Sequence, residues 1–406
     1  MDMRLKVGVG CMVITLLAGQ AAMAQTQGPD VGIGFITDMS GLYSDFDGPG
    51  GLDAVRMAVD DFGGKVLGRS INIVSADHQN KADLAAATAR QWWDRGIDVI
   101  LGGSNSAASI AISNISKDKE KVFISVGAGA DSLTEENCQP YSIRYTYSTS
   151  AQARGTATAM LKQGGKSWYF LTADYAFGHS LERASAAIVE SNGGAVTGKV
   201  RHPLNTSDFS SYIMSASASG AQVLGLANGG GDLINSIKTA REFGIAEKMK
   251  LAGLMVFITD VHSLGLDTTA GMYVTDGWYW DLNDKTRAFS QRFFAKHKKM
   301  PTTFQAADYS ATLTYLNAVK AAGTTDAAAV MKVLKAQPID DMFGKGYIRA
   351  DGAMVHDMYL MQVKKPSESK YPWDYYQIME TIPGDTAYAP TREGICALLP
   401  AKTAAR

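Results

Sequence analysis

The sequence predicts an α/β protein made of two doubly wound parallel-sheet lobes joined by a hinge that the chain crosses several times. Three observations predict it. Short apolar runs alternate with amphipathic helical stretches along most of the chain, the pattern of a parallel sheet covered by helices. The alternation completes one βαβαβ series and then begins again at similar size. Glycine pairs (Gly63-Gly64, Gly164-Gly165 and Gly193-Gly194) close helices where the chain must turn through a left-handed residue.

The first series opens at 31–37, an apolar, glycine-containing run suited to a strand buried on both faces. Leu52, Val55, Val59 and Phe62 share one helical face over 51–62. Alternation at 71–76 reads as a strand, 82–94 as a helix, 99–101 as a short buried strand, 107–117 as a helix and 122–126 as a strand. The second series places helices at 151–162, 180–191, 208–218 and 232–243, and strands at 168–172, 196–200, 223–227 and 250–253. The last third turns helical, at 285–297, 303–322 and 326–335, before strand patterns at 346–349 and 358–363. Late helices after two complete sheets imply that the chain returns to the first lobe. Crossings are expected at 145–150, 274–280 and 349–358. One lobe then comprises 25–147 with 279–355, and the other 148–278 with 356–406.

Composition narrows the function classes. The 406 residues carry 39 Lys+Arg against 40 Asp+Glu, a formal charge of -1, which gives no field for nucleic acid or an anionic membrane. Arg4 and Lys6, an apolar run from Val7 to Ala18 and the small residues of Ala22-Met23-Ala24 read as a secretory signal peptide over 1–24. The run is too short to span a bilayer comfortably, and Cys11 lies inside it, so neither a membrane nor a lipid anchor is expected. The protein is expected in the periplasm. Cys138 and Cys396 then remain, and in an oxidising compartment they are candidates to pair. No Cys/His cluster has metal-ligand spacing, and no metal or cofactor is expected.

Ligands of open parallel sheets bind beyond the carboxyl ends of the strands. Four such loops stand out: Thr37-Asp38-Met39-Ser40-Gly41-Leu42-Tyr43 with Phe46; Gly102-Gly103-Ser104-Asn105-Ser106; Ser125-Val126-Gly127-Ala128-Gly129; and Asn228-Gly229-Gly230-Gly231. The second leads straight into a helix, whose free N–H groups and dipole hold anions. Ser104 or Asn105 can cap that helix, and Ser106 can aim a hydroxyl at a carboxylate. Taken alone, such a loop reads first as an ordinary N-cap with no ligand. Gly127 and Gly129 would let a neighbouring backbone come close. Tyr43, Phe46, Tyr147, Tyr175, Phe177, Trp278 and Tyr279 fall at loop or crossing positions and suit a flat or apolar ligand body. There is no GxxxxGK[ST] loop and no G-x-S-x-G elbow, and His78 reads as a structural hydrogen-bonder.

The order of these motifs resembles the type I periplasmic binding proteins, in particular the leucine/isoleucine/valine-binding family. Asp38-Met39-Ser40-Gly41, the Gly102-to-Ser106 loop, Ser125-Val126-Gly127-Ala128, the Ala173-to-Gly178 turn and Gly271-Met272-Tyr273-Val274 fall in that family's order over nearly the whole mature chain. The resemblance implies a monomeric, non-enzymatic solute carrier of an ABC importer that closes on a small molecule and docks on membrane permease subunits. It implies that Ser106 holds the ligand carboxylate, with Gly127 and Gly129 on the next loop, Phe46 covering the ligand and Phe177 facing it from the second lobe. Asn105, Tyr147, Tyr175, Asn228 and Trp278 complete the candidate set. Two departures stand out. Gly229 or Gly230 replaces an aromatic ring, which opens space. Met255 stands where amino-acid binders of the family place an acid for the ligand ammonium, and a buried ammonium without a partner is costly. Asp174, Asp232 and Asp276 are the candidate substitutes. The sequence is also similar to a subset that takes up aromatic carboxylates, so an aromatic acid is expected ahead of a branched-chain amino acid. A ligand sensor and a secreted hydrolase are the rival classes; the hydrolase lacks any nucleophile–base spacing.

Overall fold

A computed structural model describes residues 29–390 and 394–399. The signal-peptide reading of 1–24 lies outside them. Among the described residues no helix is long and apolar enough to cross a membrane.

Two parallel sheets dominate. In the first, strands Arg69–Asp77, Val31–Thr37, Val99–Gly102, Val122–Ser125 and Ser142–Arg144 lie side by side in that order, with the short strand Lys65–Val66 antiparallel at one edge. Numbered along the chain, the five parallel strands run 2-1-3-4-5, so the order reverses between Val31–Thr37 and Val99–Gly102. Both strands are buried along their full length, which explains their unbroken apolar pattern. In the second sheet, Lys250–Gly253, Val223–Ala227, Ser167–Ala173 and Ala195–His202 are all parallel. Its order reverses between Ser167–Ala173 and Val223–Ala227. A reversal point opens a crevice at the strands' carboxyl ends. The two crevices are bordered by the loops singled out above.

The late helix Thr303–Ala322 returns to the first lobe and packs along Gly48–Phe62. Thr302 and Gln305 start it with a reciprocal capping box. A three-stranded antiparallel sheet, Tyr273–Asp276, Met358–Val363 and Tyr376–Ile382, packs under helix Thr149–Lys162 and belongs with the second lobe. A smaller one, Ile339–Asp340, Lys345–Ile348 and Met354–His356, extends the first lobe, with Ala353 bridging to Arg144.

The crossings converge on one buried cluster. His356 Nε2 lies 3.1 Å from Thr146 O and 2.7 Å from Tyr388 Oη, and a side chain at Gly277 would run into the His356 ring. Cys138 and Cys396 are joined by a disulfide with their Cα atoms 5.7 Å apart.

Candidate ligand cleft

The cleft begins with Asp38. Its carboxylate accepts from Gly41 N at 2.7 Å, Tyr43 N at 2.9 Å and Asn80 Nδ2 at 2.5 Å. One carboxylate thus folds the loop that carries Tyr43 and Phe46 into a fixed turn. Ser104 ties this loop to the next: its hydroxyl meets Thr37 Oγ1 at 2.9 Å and Asp38 N at 3.1 Å.

Asn105 is the N-cap of helix Ser106–Lys119, its Oδ1 accepting from Ala107 N and Ala108 N at 3.0 and 3.1 Å. The capping oxygen is therefore engaged with the helix. Ser106 is the first helical residue and is 1 % exposed. Its Oγ accepts from Ala130 N at 3.3 Å, which leaves the hydroxyl proton free to donate at the first turn of the helix.

The neighbouring glycines serve packing within the first lobe. A Cβ on Gly127 would sit 2.7 Å from Ser104 Cα, and one on Gly129 would enter the Tyr147 ring. Their small size brings the loop against Ser104 and seats Tyr147, so they shape the cleft from behind.

The second lobe closes over this floor. Tyr43 Oη and Tyr175 Oη are 2.7 Å apart across the cleft. Ser180 Oγ accepts from Asp131 N at 3.2 Å and lies 2.6 Å from Thr149 Oγ1. Gly230 has φ +60 and faces Leu42 O so closely that a Cβ would lie 2.5 Å from it, so both the backbone turn and the lobe contact require glycine there. Burial holds the phenols of Tyr43, Tyr147 and Tyr175 well above their ordinary pKa. They stay neutral and keep their hydroxyl protons for hydrogen bonding.

Rings from both lobes interlock. Phe46 packs edge-on to Phe257 at 4.8 Å, Phe257 to Phe304 at 4.8 Å, and Tyr147 stacks on Phe304 at 5.7 Å. Phe177 meets Tyr147 at 6.4 Å and Tyr175 at 6.0 Å. Phe257 and Phe304 were not legible as cleft residues. Phe257 lies two positions beyond Met255 and shares its strand-end loop, a signal that was available. Phe304 comes from a helix that returns after the whole second lobe, so nothing local marks it.

Met255 corrects one expectation. Gly229 does not leave open space, because Met255 Cε lies directly over it and would collide with a methyl there. The Met255 sulfur accepts from Tyr147 Oη at 3.2 Å, so this side chain bridges the lobes. Phe46 also borders a cavity of about 200 Å³ between the lobes, with Leu42, Gly230, Gly231 and Asp260 among its walls; Ser106 does not line it.

Three expected residues direct their side chains elsewhere. Asp174 faces solvent, paired with His179 at 2.8 Å and Arg201 at 3.7 Å. Trp278 donates from Nε1 to Met342 O at 3.1 Å and packs on Phe289, within the first lobe's late helices. Asn228 turns its amide back into the second lobe, toward His202 Nε2 at 3.1 Å and Ser236 Oγ at 3.0 Å. Of the carboxylates considered in place of an acid at 255, Asp232 is held by Asn205 N and Thr206 N, and burial raises it to about 6. Asp276 is fully buried at a crossing, accepts from Gly277 N at 2.7 Å, and is pushed well above the carboxylate range by burial.

A family model for periplasmic binding proteins matches residues 30–370. The chain belongs to the periplasmic binding protein family. Within this family, it is similar to a periplasmic binding protein from Burkholderia mallei, with 59% identity and a TM-score of 0.90 over 91% of this chain and 99% of that one. A branched-chain amino acid ABC transporter periplasmic ligand-binding protein from Burkholderia xenovorans LB400 is 41% identical, with a TM-score of 0.79 over 89% and 97%. A Leu/Ile/Val-binding protein homologue of Brucella abortus is 26% identical over 263 residues; the match spans 60% of each chain, and so only part of that relative's length. A solute-binding protein from R. palustris solved with benzoate is 21% identical over 91% and 100%, with a TM-score of 0.80; at that identity the likeness speaks for the fold. All four are described as binding proteins, and those from Burkholderia xenovorans LB400 and R. palustris as parts of ABC transporters.

Proposed function

We propose that this chain is the periplasmic solute-binding protein of an ABC importer, a monomer that traps a small carboxylate between its lobes and hands it to the permease, and that the carboxylate belongs to an aromatic acid. The observation that carries the reading is the pairing at the cleft. A capped helix N-terminus with a free hydroxyl proton at Ser106 is tied through Ala130 N to the loop on which Gly129 seats Tyr147, and Tyr147 in turn joins a ring cluster drawn from both lobes. Such a site offers an anion its hydrogen bonds and offers a flat body its walls. Met255 adds a thioether where an ammonium would need a charge.

Capture would begin on the Ser106 floor, and closure would bring Tyr175, Phe177 and Met255 down over the ligand. The permease would then meet surfaces of both lobes in their closed relation, so closure itself is the signal.

A branched-chain amino acid is the second reading. Buried Asp276 favours it, because this carboxyl lacks a cation among the hydrogen bonds described for it.

A thermal-shift panel of benzoate, 4-hydroxybenzoate, cinnamate, leucine and valine separates the two. A bound ligand at a hundredfold excess over Kd adds about 2.7 kcal/mol to the folded state. Stabilisation by the aromatic acids and not by leucine or valine supports the proposal. Stabilisation by leucine alone would overturn its ligand class.

A further inference from the structure

The chain continues beyond strand Tyr376–Ile382 of the second lobe. Helix Gly384–Ala387 packs against helix Thr149–Lys162 of that lobe, Gly384 N donates to Asp357 Oδ1 at 3.0 Å, and Asp385 Oδ1 already accepts from Tyr347 Oη of the first lobe's small sheet at 2.7 Å. Tyr388, the residue after this helix, is 2 % exposed; its hydroxyl donates to Thr146 O at 2.6 Å beside His356, within the cluster where the other crossings meet. One residue later, Ala389 O accepts from Arg349 Nη1 at 2.9 Å, in the first lobe. Cys396 then bonds covalently to Cys138, which lies between Asp131–Thr134 and strand Ser142–Arg144 of the first sheet. The tail therefore passes from contacts with one lobe to contacts with the other within 384–389.

We infer that this disulfide-locked tail is a fourth crossing of the hinge, a strap that bends within 384–388 and restrains how far the cleft opens. Without the covalent lock, noncovalent contacts alone hold the segment beyond Tyr388 to the first lobe. With it, opening must bend the chain within 384–388 or break the packing on both sides. The same bond anchors the far end of the loop whose near end, Ala130, donates to Ser106. The strap therefore acts on the geometry of the ligand floor as well as on the hinge. Its action depends on chain connectivity and not on which ligand the cleft takes.

The test uses ligand-free full-length mature protein. Native protein and a Cys138→Ser/Cys396→Ser variant are compared by hydrogen exchange and by small-angle scattering. If the strap restrains the hinge, exchange rises at least about tenfold in segments 126–148 and 384–390 and stays unchanged in strand Val223–Ala227, and the maximum dimension grows. A rise confined to 384–390, with 126–148 and the scattering unchanged, would overturn the inference. Should the variant fail to accumulate folded, the same measurements are made on native protein reduced in place. There, a water-soluble phosphine becomes its oxide while two electrons, and two protons from water, convert the disulfide into two thiols. Tyr388→Phe, which keeps the disulfide, should raise exchange around Thr146 by a few-fold; no change would overturn the part assigned to Tyr388 in holding the strap to the hinge cluster.

Discussion

Replacing Gly229 with alanine isolates the contact that closes the lobes on each other. Gly229 has φ -161 and ψ 170, an extended conformation open to any residue, so the substitution carries no backbone strain. Its whole effect is steric: the new methyl occupies the position of Met255 Cε. Met255 must swing away, giving up the 3.2 Å contact between its sulfur and the Tyr147 hydroxyl. Losing one such hydrogen bond costs about 0.5–1.5 kcal/mol, and forcing a methyl into a packed interface costs about 1–3 kcal/mol. Tyr147 and Phe46 stand on the opposite side of the cleft, so the cost falls mainly on the closed form. Ligand binding should weaken by roughly 10- to 100-fold, at about 1.4 kcal/mol per factor of ten. Calorimetry with the tightest acid from the panel measures this directly. In a Gly229→Ala/Met255→Ala double variant the colliding group is gone, so the penalties should fall short of additive by about 1 kcal/mol or more. Additive penalties would refute the claim that these two residues share one space.

Three further outcomes follow from the same geometry. Tyr175→Phe removes the hydroxyl pair across the cleft at 2.7 Å; a loss of about 1 kcal/mol should speed ligand release roughly five-fold in stopped-flow traces, and adding Tyr43→Phe should do little more. Asp47 and Asp308 are both buried with carboxylate oxygens crowding Gly51, and burial beside Asp47 pushes Asp308 well above the carboxylate range, so folding favours a protonated form of the pair. Its contribution is complete below the ordinary carboxylate range and is lost as pH rises; Asp308→Asn should therefore raise stability at pH 8 relative to pH 5, read from denaturant midpoints. Burial lowers His78 to about 4. The unfolded chain takes a proton at His78 below pH 6.5 that the folded state refuses, so stability falls between pH 6.5 and 4 by up to roughly 3 kcal/mol, and His78→Gln should flatten that slope.

The fold was legible because both sheets are parallel and covered by helices on each face. Strands covered on both faces must be continuous apolar runs, and residues 31–37 and 223–227 show it plainly. The late antiparallel strands were harder. Strand Tyr376–Ile382 is an edge with both faces largely exposed, and it carries no apolar periodicity to read. The floor of the cleft was legible in part, because a capped helix behind a glycine turn is a local motif and Asn105 does cap it. The roof was less so. Whether Gly229 opens space depends on Met255, a neighbour in another loop, and Phe304 arrives from a helix returning across the hinge. Asp174 and Trp278 sit close in sequence to cleft residues but point away from them, a direction that only the packed structure fixes.

The central claim is that the cleft grips a negative charge at Ser106. The most direct measurement compares, by calorimetry, the tightest-binding acid of the panel with its own primary amide, on native protein and on Ser106→Ala. The amide keeps the shape and loses the charge, so the account predicts that native protein binds the acid at least about 100-fold more tightly and that Ser106→Ala narrows this gap about tenfold. Equal affinity for acid and amide, or a gap untouched by Ser106→Ala, would contradict it.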